Sequence, residues 1–200
     1  MTTGLRERKK LRTRRALGAA ALELAVTHGL AEMTVEQIAD AADVSPRTFF
    51  NYFSSKEEAV VAADVERARD SAERLAERPL DEPVLDSVRA VMHEMVGDAP
   101  RSREWIAQVR LVKSEPSLVP QQLAAYAAAE AHLTAVIAER TGLGAQDLYP
   151  AVTAAAVMSA MRVATTRWLE SDEHGDLVGV VDRVIDLLAV GLQSPPSRAP

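Results

Sequence analysis

Hydrophobic positions along this 200-residue chain recur every three to four residues in one segment after another. No segment keeps a two-residue alternation bounded by turn residues, so the pattern predicts an all-α protein. Leu17, Ala21, Leu24 and His28 set a first helix that should end near Gly29. Val35, Ile38, Ala39 and Ala42 set a short second one, and a run rich in Ala, Glu and Arg extends from Ser55 to a stop at Pro79. Beyond the break at residues 79–83, helical segments fall near 84–97, 102–113, 117–140, 148–170 and 176–192. The clearest stripe is Val119, Leu123, Tyr126, Leu133 and Ile137, interrupted by Glu130; the last segment carries Leu177, Val181, Val184, Ile185 and Leu188. Gly, Pro and Ser clusters supply the breaks between these segments. The tail from Ser194 is expected to lack structure.

Three helix starts lie close together. Thr34 is followed three residues later by Gln37, a capping box in which each side chain satisfies a free backbone N–H. Ser55 and Glu58 repeat the spacing, and Ser45 precedes a proline, Pro46, suited to the first helical position. Helices are therefore expected over 34–42, about 46–53, and from 55 onward. The first two are joined by the tight link Asp43-Val44-Ser45, which makes residues 34–53 a helix-turn-helix.

Four of the chain's eight aromatic residues (Phe49, Phe50, Tyr52 and Phe53) crowd into the second helix of that pair. At about 100° per residue, Phe49 and Phe53 fall on one side, Arg47 and Asn51 on the other with Phe50 beside them, and Thr48 and Tyr52 on a flank. A helix this short is marginal alone. Two large anchors on one face would hold it rigid while Arg47 and Asn51 point outward. Arg can donate two hydrogen bonds to guanine, and Asn can pair with adenine. Thr48, Tyr52 and Lys56 suit phosphate oxygens. The plainer reading is that Arg47 and Asn51 are ordinary surface residues of a small bundle.

Charge adds to the first reading. Residues 1–15 hold seven basic residues and one acid, a net of +6 against −6 for the whole chain, so the other residues carry −12. A basic arm on an acidic body points to local contact with a polyanion, the alternative being a solvated terminus. Forty-eight percent hydrophobic content is ample for a core. The absence of cysteine excludes disulfides and thiolate chemistry, and fits a cytoplasmic location. The longest uncharged runs reach 14 residues, too short to span a membrane. Ala16 to Leu22 follows the basic residues as a signal peptide would, but Glu23 ends the run and the helical pattern continues.

The stretch "TVEQIADAADVSPRTFFNYFSSKEEAV", with the preceding "ALGAAALELAVTHGLAEM", resembles the DNA-binding domain of TetR-type transcriptional regulators over roughly residues 11–71. Thr34, Ile38, Ala39, Val44, Ser45, Thr48, Phe50, Tyr52, Phe53 and Lys56 fall at family positions. Asp43 stands where glycine is common, and Pro46 occupies a position that often contacts bases. The resemblance implies an all-helical homodimer whose helix-turn-helix modules bind a palindromic double-stranded DNA operator. It places Thr34, Ser45, Pro46, Arg47, Thr48, Phe50, Asn51, Tyr52 and Lys56 at the DNA. It also implies a larger C-terminal domain, here 80–192, that dimerises and binds a small effector. The segment "WIAQVRLVKSEPSLVPQQLAAYAAAEAHLTAVIAERTGL" is similar to members of the mycofactocin-regulator type, with acyl-CoA-like ligands.

For an effector pocket, the apolar candidates are Met92, Met95, Trp105, Tyr126 and Met158, with Arg110 and Arg162 as polar partners; each also reads as ordinary core or surface. The Ala- and Ser-rich run 151–160 and the helix 177–192 could pack across a two-fold axis or within one subunit. The four histidines lie far apart and give no metal site, and no catalytic, dinucleotide or Walker motif is present. No cofactor and no catalytic residue is expected. The reading is a ligand-responsive DNA-binding regulator, most simply a repressor. The alternatives are a structural protein binding DNA without sequence choice, or a helical enzyme.

Overall fold

In the computed structural model, the described residues are 3–98, 103–144, 146–171 and 176–191, with the side chains of 3, 5–7, 63, 98 and 103–105 left aside. The expected tail and the contacts of Trp105 therefore lie outside the described residues. Among the described residues there are nine α-helices and no strand: α1 Thr3–His28, α2 Val35–Ala41, α3 Pro46–Phe50, α4 Lys56–Glu77, α5 Val84–Asp98, α6 Arg103–Ser114, α7 Val119–Thr141, α8 Leu148–Glu170 and α9 Leu177–Ala189. A single 3-10 turn over Pro116–Leu118 leads into α7. No described helix is long and apolar enough to cross a membrane.

The helices group into two compact units. One joins residues 1–68 with 101–127, and the other joins 69–100 with 128–200. Two of the boundaries, 68/69 and 127/128, fall inside the continuous helices α4 and α7.

The first unit is built on α1. Its core holds Leu17, Ala21, Ala25, Ile38, Phe49 and Phe53, together with Val60 of α4 and Val112 and Leu118 from the α6 end. At Gly18, α1 and α4 approach closely: a Cβ built there would lie 3.2 Å from the Ala62 Cβ and 3.4 Å from the Ala59 carbonyl oxygen. α1 stops where Gly29 takes a φ of +83°, a backbone state that glycine adopts without steric cost.

The core of the second unit holds Leu75, Val88, Val91, Ile137, Ala154, Val157, Val181 and Ile185. The α9 stripe faces this core: Val181 and Ile185 are buried, and Leu177, Val184 and Leu188 pack against it. Of the small-residue run, Ala154 and Val157 are buried in the same core. The large hydrophobic residues left exposed on α8, α9 and the cap after it are Leu148, Tyr149, Val152, Val163, Leu187 and Val190.

Arg140 of α7 ties the end of α4 to the following link. Its Nη1 donates to the carbonyls of Leu75 (2.9 Å) and Arg78 (2.7 Å), and its Nη2 to Pro79 O (2.8 Å) and Ser87 Oγ (2.9 Å). The last carbonyls of a helix have no partner within it, and a buried cation satisfies both their hydrogen bonding and their partial negative charge.

Candidate nucleic-acid interface

Local sequence fixes the helix-turn-helix at each end. Thr34 Oγ1 accepts from Gln37 N–H (3.2 Å), and Gln37 Oε1 accepts from Thr34 N–H (2.8 Å), the reciprocal box that starts α2. The chain leaves α2 through Asp43, whose φ of +53° lies in the left-handed region, and Val44 N–H closes the turn on Ala39 O at 2.9 Å. Asp tolerates this conformation better than most residues, which explains how it stands in for glycine. Ser45 then caps α3: its Oγ accepts from Thr48 N–H (3.2 Å) and lies 2.9 Å from Thr48 Oγ1. Pro46 takes the first helical position.

α3 itself is five residues long, shorter than the expected 46–53, though Phe53 N–H still bonds to Phe49 O at 3.0 Å. Its two faces divide as the helical spacing requires. Phe49 and Phe53 are 0% and 2% exposed, with ring centroids 5.6 Å apart. Burying each contributes roughly 1.5–3 kcal/mol. On the other side Arg47, Phe50 and Asn51 are exposed, Phe50 by 60%. Pro46, Thr48 and Tyr52 are half-buried between the faces.

Arg14, which sequence grouped with the basic arm, belongs to this support. Its guanidinium stacks 4.5 Å from the Phe53 ring centroid and donates to Tyr52 O (3.0 Å). It also pairs with Glu66 of α4 at 3.4 Å. One side chain thus joins α1, the end of α3 and α4. The available signal was its spacing: Arg14 lies three and seven residues before Leu17 and Ala21, on the buried face of α1. Arg15 pairs with Glu66 as well, whereas Arg8, Lys9, Lys10 and Arg12 are exposed along α1.

Lys56, expected at a phosphate, has partners within its own unit. Its Nζ lies 2.8 Å from Leu30 O, 3.2 Å from Ala31 O and 3.0 Å from Met33 O. An ammonium has three donors, and here all three have carbonyl partners in the α1–α2 link. Lys56 therefore joins α4 to that link. The Ser55–Glu58 box is also altered. Glu58 N–H bonds to Ser55 Oγ (3.1 Å), but the Glu58 carboxylate accepts from the N–H and hydroxyl of Ser54, each at 2.8 Å.

The seven effector candidates divide between the units. Met92, Met95 and Met158 pack against the core of the second, and Arg162 is exposed there. In the first unit, Arg110 is exposed, and the Tyr126 hydroxyl accepts from Lys113. Gln122 donates to Val112 O, so α6 is fastened to the first turns of α7. A cleft beside Leu22, Val60 and Val112 has space for little more than one water, about 10 Å³. The first half of the α7 stripe is exposed, with Val119 at 56% and Leu123 at 69%.

Comparison with known proteins gives this arrangement a context. Residues 17–63 match the family described as bacterial regulatory proteins, tetR family, and residues 82–193 match the MftR C-terminal domain. The chain is similar to the HTH-type transcriptional regulator TcmR of Streptomyces glaucescens, 37% identical over 176 residues, covering 82% of this chain and 76% of that one. Among solved structures it is similar to the repressor FadR of Thermus thermophilus in complex with lauroyl-CoA. There the TM-score is 0.57 and the identity 23%, with 94% of this chain and 98% of that chain covered. SmeT, the repressor of a Stenotrophomonas maltophilia multidrug efflux pump, shares the fold with a TM-score of 0.59 at 18% identity, covering 94% and 97%; a SmeT–triclosan complex is also similar. On the tetR and MftR-domain matches and the identity with TcmR, the chain belongs to the TetR family of DNA-binding transcriptional regulators.

Proposed function

We propose that this chain acts in the cytoplasm as a homodimeric repressor, which a small-molecule effector releases from a palindromic operator. The observation that carries the reading is the divided α3 helix: Phe49 and Phe53 are buried, and Arg47, Phe50 and Asn51 stand exposed on the opposite side. Arg47 reads guanine and Asn51 adenine through bidentate hydrogen bonds. Thr34, Ser45, Thr48 and Tyr52 take sugar-phosphate contacts, and Pro46 sets the approach of α3 to the bases.

The second copy docks on the residues that α8 and α9 leave exposed, Tyr149, Val152, Val163 and Leu187. Exposed large apolar side chains on these two helices suit an interaction face. A two-fold dimer would carry two recognition helices to the two halves of the operator.

The effector is a largely apolar small molecule of the acyl-CoA class, bound within residues 82–193. Support comes from the match to the MftR C-terminal domain and from two fold relatives solved with lauroyl-CoA and with triclosan. Met92, Met95 and Met158 provide a deformable apolar wall, since unbranched thioethers adapt to irregular shapes. Effector and operator would then compete through linkage, each lowering affinity for the other by the same factor. Titrating operator-bound protein with acyl-CoA esters of several chain lengths tests this. Long chains should release the DNA and free coenzyme A should not. If long chains fail, or free coenzyme A works equally well, the acyl assignment falls.

A further inference from the structure

Phe50 is the one large hydrocarbon side chain on the outer face of α3, and it is 60% exposed between Arg47 and Asn51. Its position is held from beneath. The ring meets the buried Phe49 ring edge to face, with centroids 5.4 Å apart and planes at 89°. Edge-to-face pairs of this kind contribute beyond simple burial, so Phe50 is fixed in direction and still left in water.

Phenylalanine has no hydrogen-bonding group. It cannot bond a phosphate, a sugar hydroxyl or a polar base edge, so among DNA features it can recognise only an apolar one. In the major groove the base pairs present one such group, the C5-methyl of thymine. Its neighbours set where that thymine lies. Residues three and four apart on a helix are displaced by about 4.5 and 6 Å along the axis, and base pairs are spaced by about 3.4 Å. Phe50 therefore falls within about two base pairs of whatever Arg47 and Asn51 contact.

We infer that Phe50 is a specificity residue that reads a thymine C5-methyl, and that each half-site holds this thymine within about two base pairs of the guanine read by Arg47. The inference rests on the DNA-reading account above and adds a base that the polar residues cannot select. Pro46 is the other apolar side chain near the bases, but it is half-buried at the start of α3.

The test uses the full-length chain and unmodified protein first. Duplexes enriched from a random-sequence pool give the operator, and each thymine in turn is then replaced by deoxyuridine, which removes only the methyl. One position per half-site should lose about three- to tenfold in affinity, the scale of burying one methyl group. In Phe50→Ala this dT-over-dU preference should vanish at that position, and in Phe50→Leu it should persist, while the guanine preference stays in both. The inference is overturned if no deoxyuridine substitution weakens binding, or if the preference survives in Phe50→Ala. Loss of the preference in Pro46→Ala alone would overturn it too, by assigning the methyl to the proline. A pool that enriches no sequence would remove the DNA-reading account, and this inference with it.

Discussion

The ammonium of Lys56 lies 3.0 Å from the carbonyl of Met33 and 2.8 Å from that of Leu30, joining the start of α4 to the link between α1 and α2. A lysine expected at a DNA phosphate thus has carbonyl partners within its own unit. Hydrogen bonds to charged groups contribute about 1.5–3 kcal/mol. We predict that Lys56→Ala lowers unfolding stability by about that much in chemical denaturation. At a temperature where the variant stays folded, its log affinity versus log salt slope on random DNA should match that of the unmodified chain. A slope reduced by about 0.9 for each lysine removed, at unchanged stability, would instead restore the phosphate role.

Arg47 and Asn51 are expected to read different bases. Arg47→Ala should cost roughly 1–3 kcal/mol on the operator and relax preference at one position of each half-site. Asn51→Ala should relax a different one. Equal losses on operator and random DNA would mean that neither residue selects a base. Affinities for a panel of singly substituted duplexes decide it.

Arg8, Lys9, Lys10 and Arg12 extend along the exposed surface of α1, but Arg14 is fastened to Phe53, Tyr52 and Glu66. Deleting residues 1–10 should therefore flatten the salt slope by about 0.9 for each phosphate that the arm had neutralised, and leave base preference intact. Arg14→Ala should act differently, lowering stability and weakening specific binding because α3 loses one of its supports. Salt titrations on operator and random DNA separate the two effects.

Much of this arrangement was legible in the sequence because short-range rules govern it. The Thr34–Gln37 box, the Ser45-Pro46 start and the opposite facing of Phe49 and Arg47 follow from spacing along a helix, and local spacing survives folding. Lys56 and Arg140 were not legible for the same physical reason. Their partners are backbone carbonyls more than 20 residues away, and a carbonyl leaves no trace in residue type. The α9 stripe was legible as apolar, but periodicity does not distinguish a face turned to its own core from one turned to a second copy. Val184 is half-buried and packs against the core of its own unit.

Acid should loosen the corner between α4 and α5. Glu82 accepts from Arg78 (2.6 and 2.9 Å) and from Ser87 Oγ (2.6 Å). The Arg78 bond first, and the Ser87 bond next, hold its carboxyl at about 2 against an ordinary 4.5. The unfolded chain binds this proton at higher pH than the folded one, so the stabilisation is present above about pH 4.5 and is lost as pH falls toward 2. Thermal melts between pH 5 and 2 should therefore show a shallower decline for Glu82→Gln than for the unmodified chain. Parallel declines would mean the Arg78–Glu82 pair does not persist in solution.

Base reading by α3 implies that this chain recognises a particular two-fold symmetric sequence. Cleavage protection on the DNA upstream of its own coding sequence measures this most directly. One protected inverted repeat is expected, with half-site centres about one helical turn or a multiple apart, and that protection should be lost in Arg47→Ala. Protection spread evenly along the fragment, or unchanged in Arg47→Ala, would contradict it.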